Sequence, residues 1–493
     1  MARLQYCPSM SGASQSSRCS VLAAGIDIGT TSVKAVVADE DGNIVGRARQ
    51  ASALLIGPGG RFEHDARQTW WESPRVVLRQ LLSGYAAEAV SVSAMMPSVA
   101  AVDDSGRPLG EGLLYGDSRG LQQGSGDPTT SAEMAHLSGW AARNAPGAAG
   151  YWPAQAVANA SLGGEGVTDL ASAFATGPLF MGSGWDAAAC SAAGFRPSQL
   201  PRVAVFGEAV GQVGGDVLGA GTLSGELVLA AGSVDGFCEQ LVAGTVNDGD
   251  VLIGLGSTLV VWLTVPGWPP DLPDIWRVPH LVAGKAMVGG ASNAGGIWAD
   301  WVDRVLRPPA GAVVAGGGQG DLRGLGRIDN DAPGLSPGEV PVWWPWAKGE
   351  RVPWHDRSLR IGLAGADLSH GPAALRRAAF EATGFVIRYI LEVASTTGTR
   401  AQRFVVSGGG TRNPAWLQAI ADVLGHPVQP MAVPETAALG GAFLARMALG
   451  QESSLDDATR WSRYSAPVEP VPDWAAATDE RYLLWRQGLP ERS

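Results

Sequence analysis

Residues 227–264 read LVLAAGSVDGFCEQLVAGTVNDGDVLIGLGSTLVVWLT, and the plan of the chain follows from them. Leu227 to Ala231 is an apolar run that predicts a buried strand. It ends in Gly232-Ser233-Val234-Asp235-Gly236, where a carboxylate stands beside glycine and is displayed rather than packed. Phe237 to Ala243 has the length of a short helix, and a turn rich in Asn, Asp and Gly follows. Val251 to Leu255 and Leu259 to Thr264 then form a hairpin around Gly256-Ser257-Thr258.

That hairpin has a counterpart near the start of the chain. Residues 21–39 read VLAAGIDIGTTSVKAVVAD: an apolar strand, a turn Gly29-Thr30-Thr31, and a second strand from Val33 to Ala38. Gly254-Leu255-Gly256-Ser257-Thr258 can be laid on Asp27-Ile28-Gly29-Thr30-Thr31. A unit that recurs once, far along the chain, predicts two domains of similar plan. Two such turns facing each other across a cleft would offer backbone N–H and hydroxyl donors suited to phosphate oxygens. Each turn taken alone is also an ordinary β-hairpin with glycine at a positive φ. The recurrence, together with Asp235, favours the phosphate reading.

The whole chain bounds the answer. Its 493 residues suffice for two domains with large cores. A hydrophobic content of 45% and a charged content of 17% describe a globular protein. A net charge of −11 argues against nucleic acid as a partner. The cysteines Cys7, Cys19, Cys190 and Cys238 form no CxxC pair and no metal-ligand spacing, which fits a reducing compartment. Residues 1–20 are Ser-rich without a continuous apolar core, so they are expected to be a disordered leader rather than a signal peptide. No stretch has the length of a membrane span, and a cytoplasmic protein without membrane association is expected.

Taken in order, Ile44 to Ala51 predicts a third antiparallel strand and residues 64–83 a helix interrupted at Pro74. Ala89 to Ala94 predicts a buried strand ending at Met95-Met96-Pro97 and continued by Ser98 to Asp103. Tyr115-Gly116-Asp117-Ser118-Arg119 places an acid and an arginine at a strand end. Strands alternating with helices behind a leading hairpin predict a mixed α/β domain. Residues 120–226 have few periodic segments, with short strands expected at 167–169 and 178–180. Beyond the hub, residues 290–306 open with glycines into an amphipathic helix. Residues 328–356 form a Pro- and Trp-rich connection whose tryptophans must be packed. Residues 373–394 predict a core helix. Arg403 to Val406 predicts a strand, followed by Ser407-Gly408-Gly409-Gly410-Thr411-Arg412-Asn413. Helices are expected from Pro414 to Leu424 and from Thr436 to Ala448. Three glycines at a strand end let a flat ligand lie on bare backbone, or simply make a tight crossover. No GxGxxG fingerprint and no Walker A sequence is present.

These stretches together resemble the FGGY family of carbohydrate kinases, in particular its xylulokinase-like members. The matching residues are Gly25 to Lys34, Tyr115 to Arg119, Asp235, Gly256-Ser257-Thr258, Gly349-Glu350-Arg351-Val352-Pro353, and Ser407 through Asn413. The resemblance runs over about residues 21–485. It implies an α/β fold of two ribonuclease-H-like domains, of the actin and sugar-kinase type, with ATP in the central cleft. The expected division is 21–242 on the sugar side and 243–493 on the nucleotide side.

The resemblance also implies roles. Asp235 is the base that takes the proton of the sugar hydroxyl, and Mg²⁺ lies near Asp27 and Asp235, largely through water. Gly29, Thr30, Thr31 and Lys34, with Gly256, Ser257 and Thr258, hold phosphates. Gly408, Gly409, Gly410 and Asn413 meet the adenosine together with Gly295. Met95, Met96, Pro97, Asp117, Arg119 and Asp235 face the sugar. Phosphoryl transfer needs positioning and charge stabilisation more than a strong base, so an Asp with an ordinary pKa of about 3.9 is adequate.

Two residue-level alternatives stay open: Asp235 as the N-cap of a helix beginning near Phe237, and Arg119 as a salt-bridge partner of Asp117. The chain also departs from its relatives. Met95-Met96-Pro97 stands where xylulokinases usually carry Gln-Met-His, and Gly236 follows Asp235 in place of the frequent Asn. Residues 120–226 look shorter than usual. The resemblance therefore implies an ATP-dependent kinase of a ketopentose such as xylulose, acting on a small sugar or polyol, for which a homodimer is a compatible state. The alternatives are a catalytically weak or non-enzymatic sensor of ATP and sugar on the same fold, and an actin-like or chaperone ATPase. The last leaves Asp117, Arg119 and Gly349 to Pro353 unexplained.

Overall fold

The computed structural model describes residues 21–119, 133–218, 227–272, 274–306 and 335–490. The leader expected over residues 1–20 lies outside the described residues. The chain divides into two units. One contains the residues up to Gly244 and regains the chain for Glu435–Ser462; the other contains Thr245–Pro434 and Arg463–Ser493.

The first unit is built on a six-stranded sheet. Its order is Ala209–Gln212, Val228–Val234, Ala87–Ala94, Leu22–Ile28, Ser32–Ala38, Ile44–Ala51. The last three form an antiparallel meander, while Leu22–Ile28, Ala87–Ala94 and Val228–Val234 run parallel. The second unit's sheet has the order Trp276–Pro279, Lys285–Ser292, Leu259–Pro266, Asp250–Leu255, Arg403–Ser407, Val428–Pro430. Here too a meander of three strands leads into two parallel ones. The recurring hairpin is thus the first turn of the same five-strand plan in both units. In each turn the glycine N–H closes the loop: Gly29 N donates to Ser32 O and Gly256 N to Thr258 O, both at 3.1 Å.

The first strands read as apolar runs because both faces of the sheet are covered; Leu22–Ile28 is buried at every position. Helix Thr436–Ala448 covers one face. The sequence reading put this helix in the second domain, but its small residues fit flush on the first unit's sheet. A Cβ at Gly25 would lie 1.8 Å from the carbonyl oxygen of Ala438, and one at Gly440 would lie 2.0 Å from that of Cys238. Ser91 Oγ donates to the Gly441 carbonyl at 2.6 Å.

Three local expectations change. Ser98–Val102 does not continue Ala87–Ala94. It belongs to a second, five-stranded sheet of the first unit, between Glu111–Leu114 and Gly150–Trp152. Met96–Pro97 breaks the run, since proline has no N–H for the ladder. The helix expected from residue 64 begins after the strand Arg61–Asp65. It opens with a wide turn at Arg67–Glu72 before the regular helix Ser73–Leu82, with Pro74 in its first turn. In the stretch that read as irregular, Val167–Asp169 is a strand, but 177–179 is a single tight helical turn. Among the described residues the stretch also holds helices Glu133–Asn144, Ala154–Ser161, Leu170–Phe174 and Ala187–Ala193.

Helices Pro372–Ala394 and Pro414–Leu424 of the second unit, and Thr436–Ala448 of the first, begin and end as the sequence pattern places them, to within a residue. Trp343 and Trp346 of the Pro- and Trp-rich connection are buried. No helix among the described residues is long and apolar enough to cross a membrane.

Candidate active site

Strand register brings the first group of residues together. Ile28 pairs with Ala94, and Ala94 with Val234, so three adjacent parallel strands end in line. The residues that follow are Gly29, Met95 and Asp235. In open α/β sheets this carboxyl edge is where ligands bind. One place back, Asp27 is buried and lies opposite Lys34 in the hairpin, with Lys34 Nζ 3.7 Å from its Oδ2. Ser93 Oγ donates to Asp27 Oδ1 at 3.4 Å.

Asp235 is the first residue of helix Asp235–Ala243, and its carboxylate accepts from Gly236 N at 2.7 Å. The N-cap is Val234, because the helix starts two residues earlier than the sequence indicates. Burial pushes the Asp235 carboxyl well above the usual carboxylate range, and the neighbouring charges of Asp27 and Glu239 add to the rise. Burial also raises Asp27, an effect that Lys34 and Ser93 oppose. Asp235 is therefore a stronger base than the ordinary aspartate that the sequence reading assumed.

The first turn divides its two threonines. Thr30 is buried, with its Oγ1 3.1 Å from Tyr115 Oη, whereas Thr31 is exposed. His64 supports the turn from behind. Trp70 Nε1 donates to His64 Nδ1 at 3.1 Å, which leaves the proton on Nε2, and that nitrogen donates to the Thr30 carbonyl at 2.7 Å. Burial lowers the His64 pKa, so the ring stays neutral.

Asp117 and Arg119 are partners. Asp117 is fully buried and accepts from Phe62 N at 2.9 Å and from Arg119 Nη2 at 2.7 Å. Arg119 also pairs with buried Glu63 and lies 4.5 Å over the Trp140 ring. The salt bridge that the sequence left open is present, and the arginine is not a free cation. Beside this group, Met95 and Pro97 are buried and Met96 is half-buried.

In the second unit, Gly256 is exposed and Ser257 and Thr258 are half-buried. Helix Gly296–Leu306 starts on this turn: Gly296 N donates to Gly256 O at 2.8 Å and Ile297 N to Ser257 O at 3.0 Å. Gly295 has to be glycine, since a Cβ would lie 2.2 Å from the backbone of Thr258. Gly408, at φ +86°, and Gly410 pack against Leu255, while a side chain at Gly409 would meet open space. Asn413 caps helix Pro414–Leu424 through Oδ1, which accepts from Trp416 N at 3.1 Å.

Two models of known families match the chain. The N-terminal domain of the FGGY family of carbohydrate kinases matches residues 22–124, and its C-terminal domain matches residues 271–449. The chain belongs to the FGGY family of carbohydrate kinases. It is 28% identical over 473 residues to a xylulose kinase of Streptomyces rubiginosus, covering 91% of this chain and 92% of that one. It is 28% identical over 516 residues to a glycerol kinase of Clavibacter michiganensis subsp. michiganensis, covering 94% and 96%. The crystal structure of xylulose kinase from Rhodospirillum rubrum superposes with a TM-score of 0.74 at 25% identity, over 94% of this chain and 98% of that one.

The protein is thus a sugar kinase, a phosphotransferase of the actin-like fold, and its family implies the use of ATP. The family's usual Mg²⁺ can be tested against the residues present. Among the described residues no group of three or more His, Cys, Asp or Glu is arranged to hold a metal ion. Asp27 and Asp235 are two hard oxygen donors, and the charge of the first raises the carboxyl of the second. Mg²⁺ keeps several waters and takes one or two carboxylates plus substrate phosphates, so this pair fits it.

Sequence reasoning gave no role to three residues that brace these turns. Tyr115 and His64 anchor Thr30 from 85 and 34 residues away, and no local pattern announces such contacts. Glu350 was read only as part of a motif. It is a buried carboxylate that accepts from Ser292 Oγ at 2.9 Å, Asn293 N at 2.8 Å and Arg351 N at 2.7 Å, and so fixes the chain just before Gly295.

Proposed function

We propose that this kinase transfers the γ-phosphoryl group of ATP to a hydroxyl of a ketopentose such as xylulose, with Asp235 as the general base. The observation that carries this reading is the grouping of Asp235, Asp27 and Lys34 at the carboxyl edge of the first unit's sheet. Asp235 takes the hydroxyl proton as the sugar oxygen bonds to the γ-phosphorus and the bond to the β,γ-bridging oxygen breaks, releasing ADP. Its raised pKa brings it closer to the working pH, which favours proton transfer.

In this reading Gly29, Thr31 and Lys34 serve the phosphates in the first unit, and Thr30 fixes the turn. Gly256, Ser257 and Thr258 serve them in the second unit, with Gly295 seating that turn on its helix. Gly408, Gly409, Gly410 and Asn413 carry the adenosine. Mg²⁺, held near Asp27 and Asp235 largely through water, would neutralise charge on the β- and γ-phosphates. Met95, Met96, Pro97 and the Asp117–Arg119 pair line the sugar side. Asp117 and Glu63 already neutralise Arg119, which supports a neutral acceptor over an aldonate.

Similarity to xylulose kinases supports the ketopentose, and similarity to a glycerol kinase makes polyols the competing acceptors. The test is sugar-dependent ADP release over pentuloses, hexuloses, polyols and aldonates, with wild type beside Asp235→Asn. The expected result is highest kcat/KM with a pentulose and a loss of two to four orders of magnitude in the variant, about the share of a general base. The apolar Met95-Met96-Pro97 tip favours a second reading, a catalytically weak sensor of ATP and sugar. Nucleotide binding without turnover on any acceptor would establish that reading and overturn the first.

A further inference from the structure

The strand that delivers Asp235 is irregular two residues before its end. Ala230 pairs with Ser91 and Ser233 with Ser93, so Ala231-Gly232 stand opposite the single residue Val92. Gly232 adopts φ +69°, and a Cβ there would lie 2.0 Å from the Val92 carbonyl oxygen. This is a bulge of one residue. Such an insertion reverses the face presented by every residue after it, and bulges near active sites re-aim side chains. Asp235 is the first side chain past the strand that this bulge redirects.

The bulge is held by a buried polar clamp. The displaced Ala231 carbonyl accepts from Gln155 Nε2 at 2.6 Å and from Asn159 Nδ2 at 3.3 Å. Both donors come from helix Ala154–Ser161. On the other side of Gly232, Ser233 Oγ donates to Asp169 Oδ2 at 2.6 Å. Asp169 also caps helix Leu170–Phe174, accepting from Ala171 N and Ser172 N at 3.1 and 3.2 Å. Ser172 Oγ donates back to Gln155 Oε1 at 3.0 Å. Gln155, Asn159, Asp169, Ser172 and Ser233 are all buried. A core without a special demand on the backbone would fill this space with apolar side chains, because a partly satisfied polar network is costly.

We propose that Gln155, Asn159 and Asp169 are positioning residues of the phosphoryl transfer: they hold the Ala231–Gly232 bulge, and through it the direction of Asp235. The proposal rests on the reading of Asp235 as the base. None of the three needs to touch substrate.

The test uses Gln155→Leu and Ser233→Ala, each of which removes one hold on the bulge, in the full-length kinase. The clamp predicts a 10- to 100-fold fall in kcat, roughly the cost of a small misplacement of a reacting group. KM for sugar and MgATP, and ADP affinity by calorimetry, stay within twofold, and Ser233→Thr restores kcat. Adding Ser233→Ala to Asp235→Asn costs nothing further, because the clamp acts only through Asp235. Equal and multiplicative losses in the two backgrounds would overturn the proposal, as would wild-type kcat in both single variants. If Asp235→Asn itself keeps turnover, the base reading fails. If it loses turnover while Gln155→Leu and Ser233→Ala keep theirs, only the clamp fails. Should Gln155→Leu not fold, Ser233→Ala, which deletes one hydroxyl, carries the comparison alone.

Discussion

The hydroxyl of Thr30 lies 3.1 Å from the phenol oxygen of Tyr115, and both side chains are buried. A hydroxyl turned inward and paired is a poor phosphate ligand; its neighbour Thr31 is exposed. Thr31→Val is expected to weaken MgATP binding several-fold by calorimetry with an unchanged melting temperature. Thr30→Val is expected to do the reverse. It should lower stability by about 1 kcal/mol, the usual net worth of a buried hydrogen bond, and leave the nucleotide affinity close to wild type. Loss of affinity confined to Thr30→Val would assign the phosphate contact to Thr30.

Glu239 sits one helical turn beyond Asp235 and raises the carboxyl of Asp235 by its charge. A general base works only when ionised, so activity is lost as pH falls through its pKa. Glu239→Gln removes one negative neighbour and lowers that pKa. The acid limb of the kcat/KM profile should therefore move to lower pH, with the alkaline side unmoved. An acid limb that stays in place would mean that Asp235 does not set it.

Glu350 gives a prediction for stability. Burial pushes its carboxyl from 4.5 up to about 7, against the opposing pull of its N–H donors. The folded chain then holds a proton between these values that the unfolded chain has lost. The contribution is full below 4.5 and falls away as pH rises towards 7, by on the order of 3 kcal/mol. Glu350→Gln can keep the acceptor oxygen for Asn293 N and Arg351 N without carrying a charge. Its melting temperature should match wild type near pH 5 and exceed it at pH 8. Parallel melting curves across this range would show that Glu350 ionises freely in the fold.

Legibility in the sequence followed contrast. The paired hairpins stood out because glycine and hydroxyl residues interrupt long apolar runs, and Pro414 and Gly425 bracket a helix whose ends coincide with them. The Ala-, Ser- and Gly-rich stretch after residue 132 hid its helices, because small residues give neither face a distinct hydropathy. The same smallness concealed where helix Thr436–Ala448 belongs: its glycines and alanines are shaped to Gly25 and Cys238, a fit visible only in three dimensions. At the proposed site, Asp235 drew notice from its place beside a strand end. The inward turn of Thr30 and the clamp on Ala231 depend on partners 85 and 76 residues away, which no local pattern encodes.

The return of Glu435–Ser462 to the first unit bears on how the protein is made. The strand Leu22–Ile28 leaves the ribosome roughly 400 residues before the helix that covers it, an interval of about 20–80 s at common elongation rates. The second unit waits as well, since it needs Arg463–Ser493. Both units therefore close only once the chain beyond Pro434 has been made, whatever order their sheets begin to form in. A nascent chain halted at Pro434 would carry every strand of both six-stranded sheets and complete neither unit. A late nonsense codon should thus yield a product for proteolysis rather than a working half-enzyme.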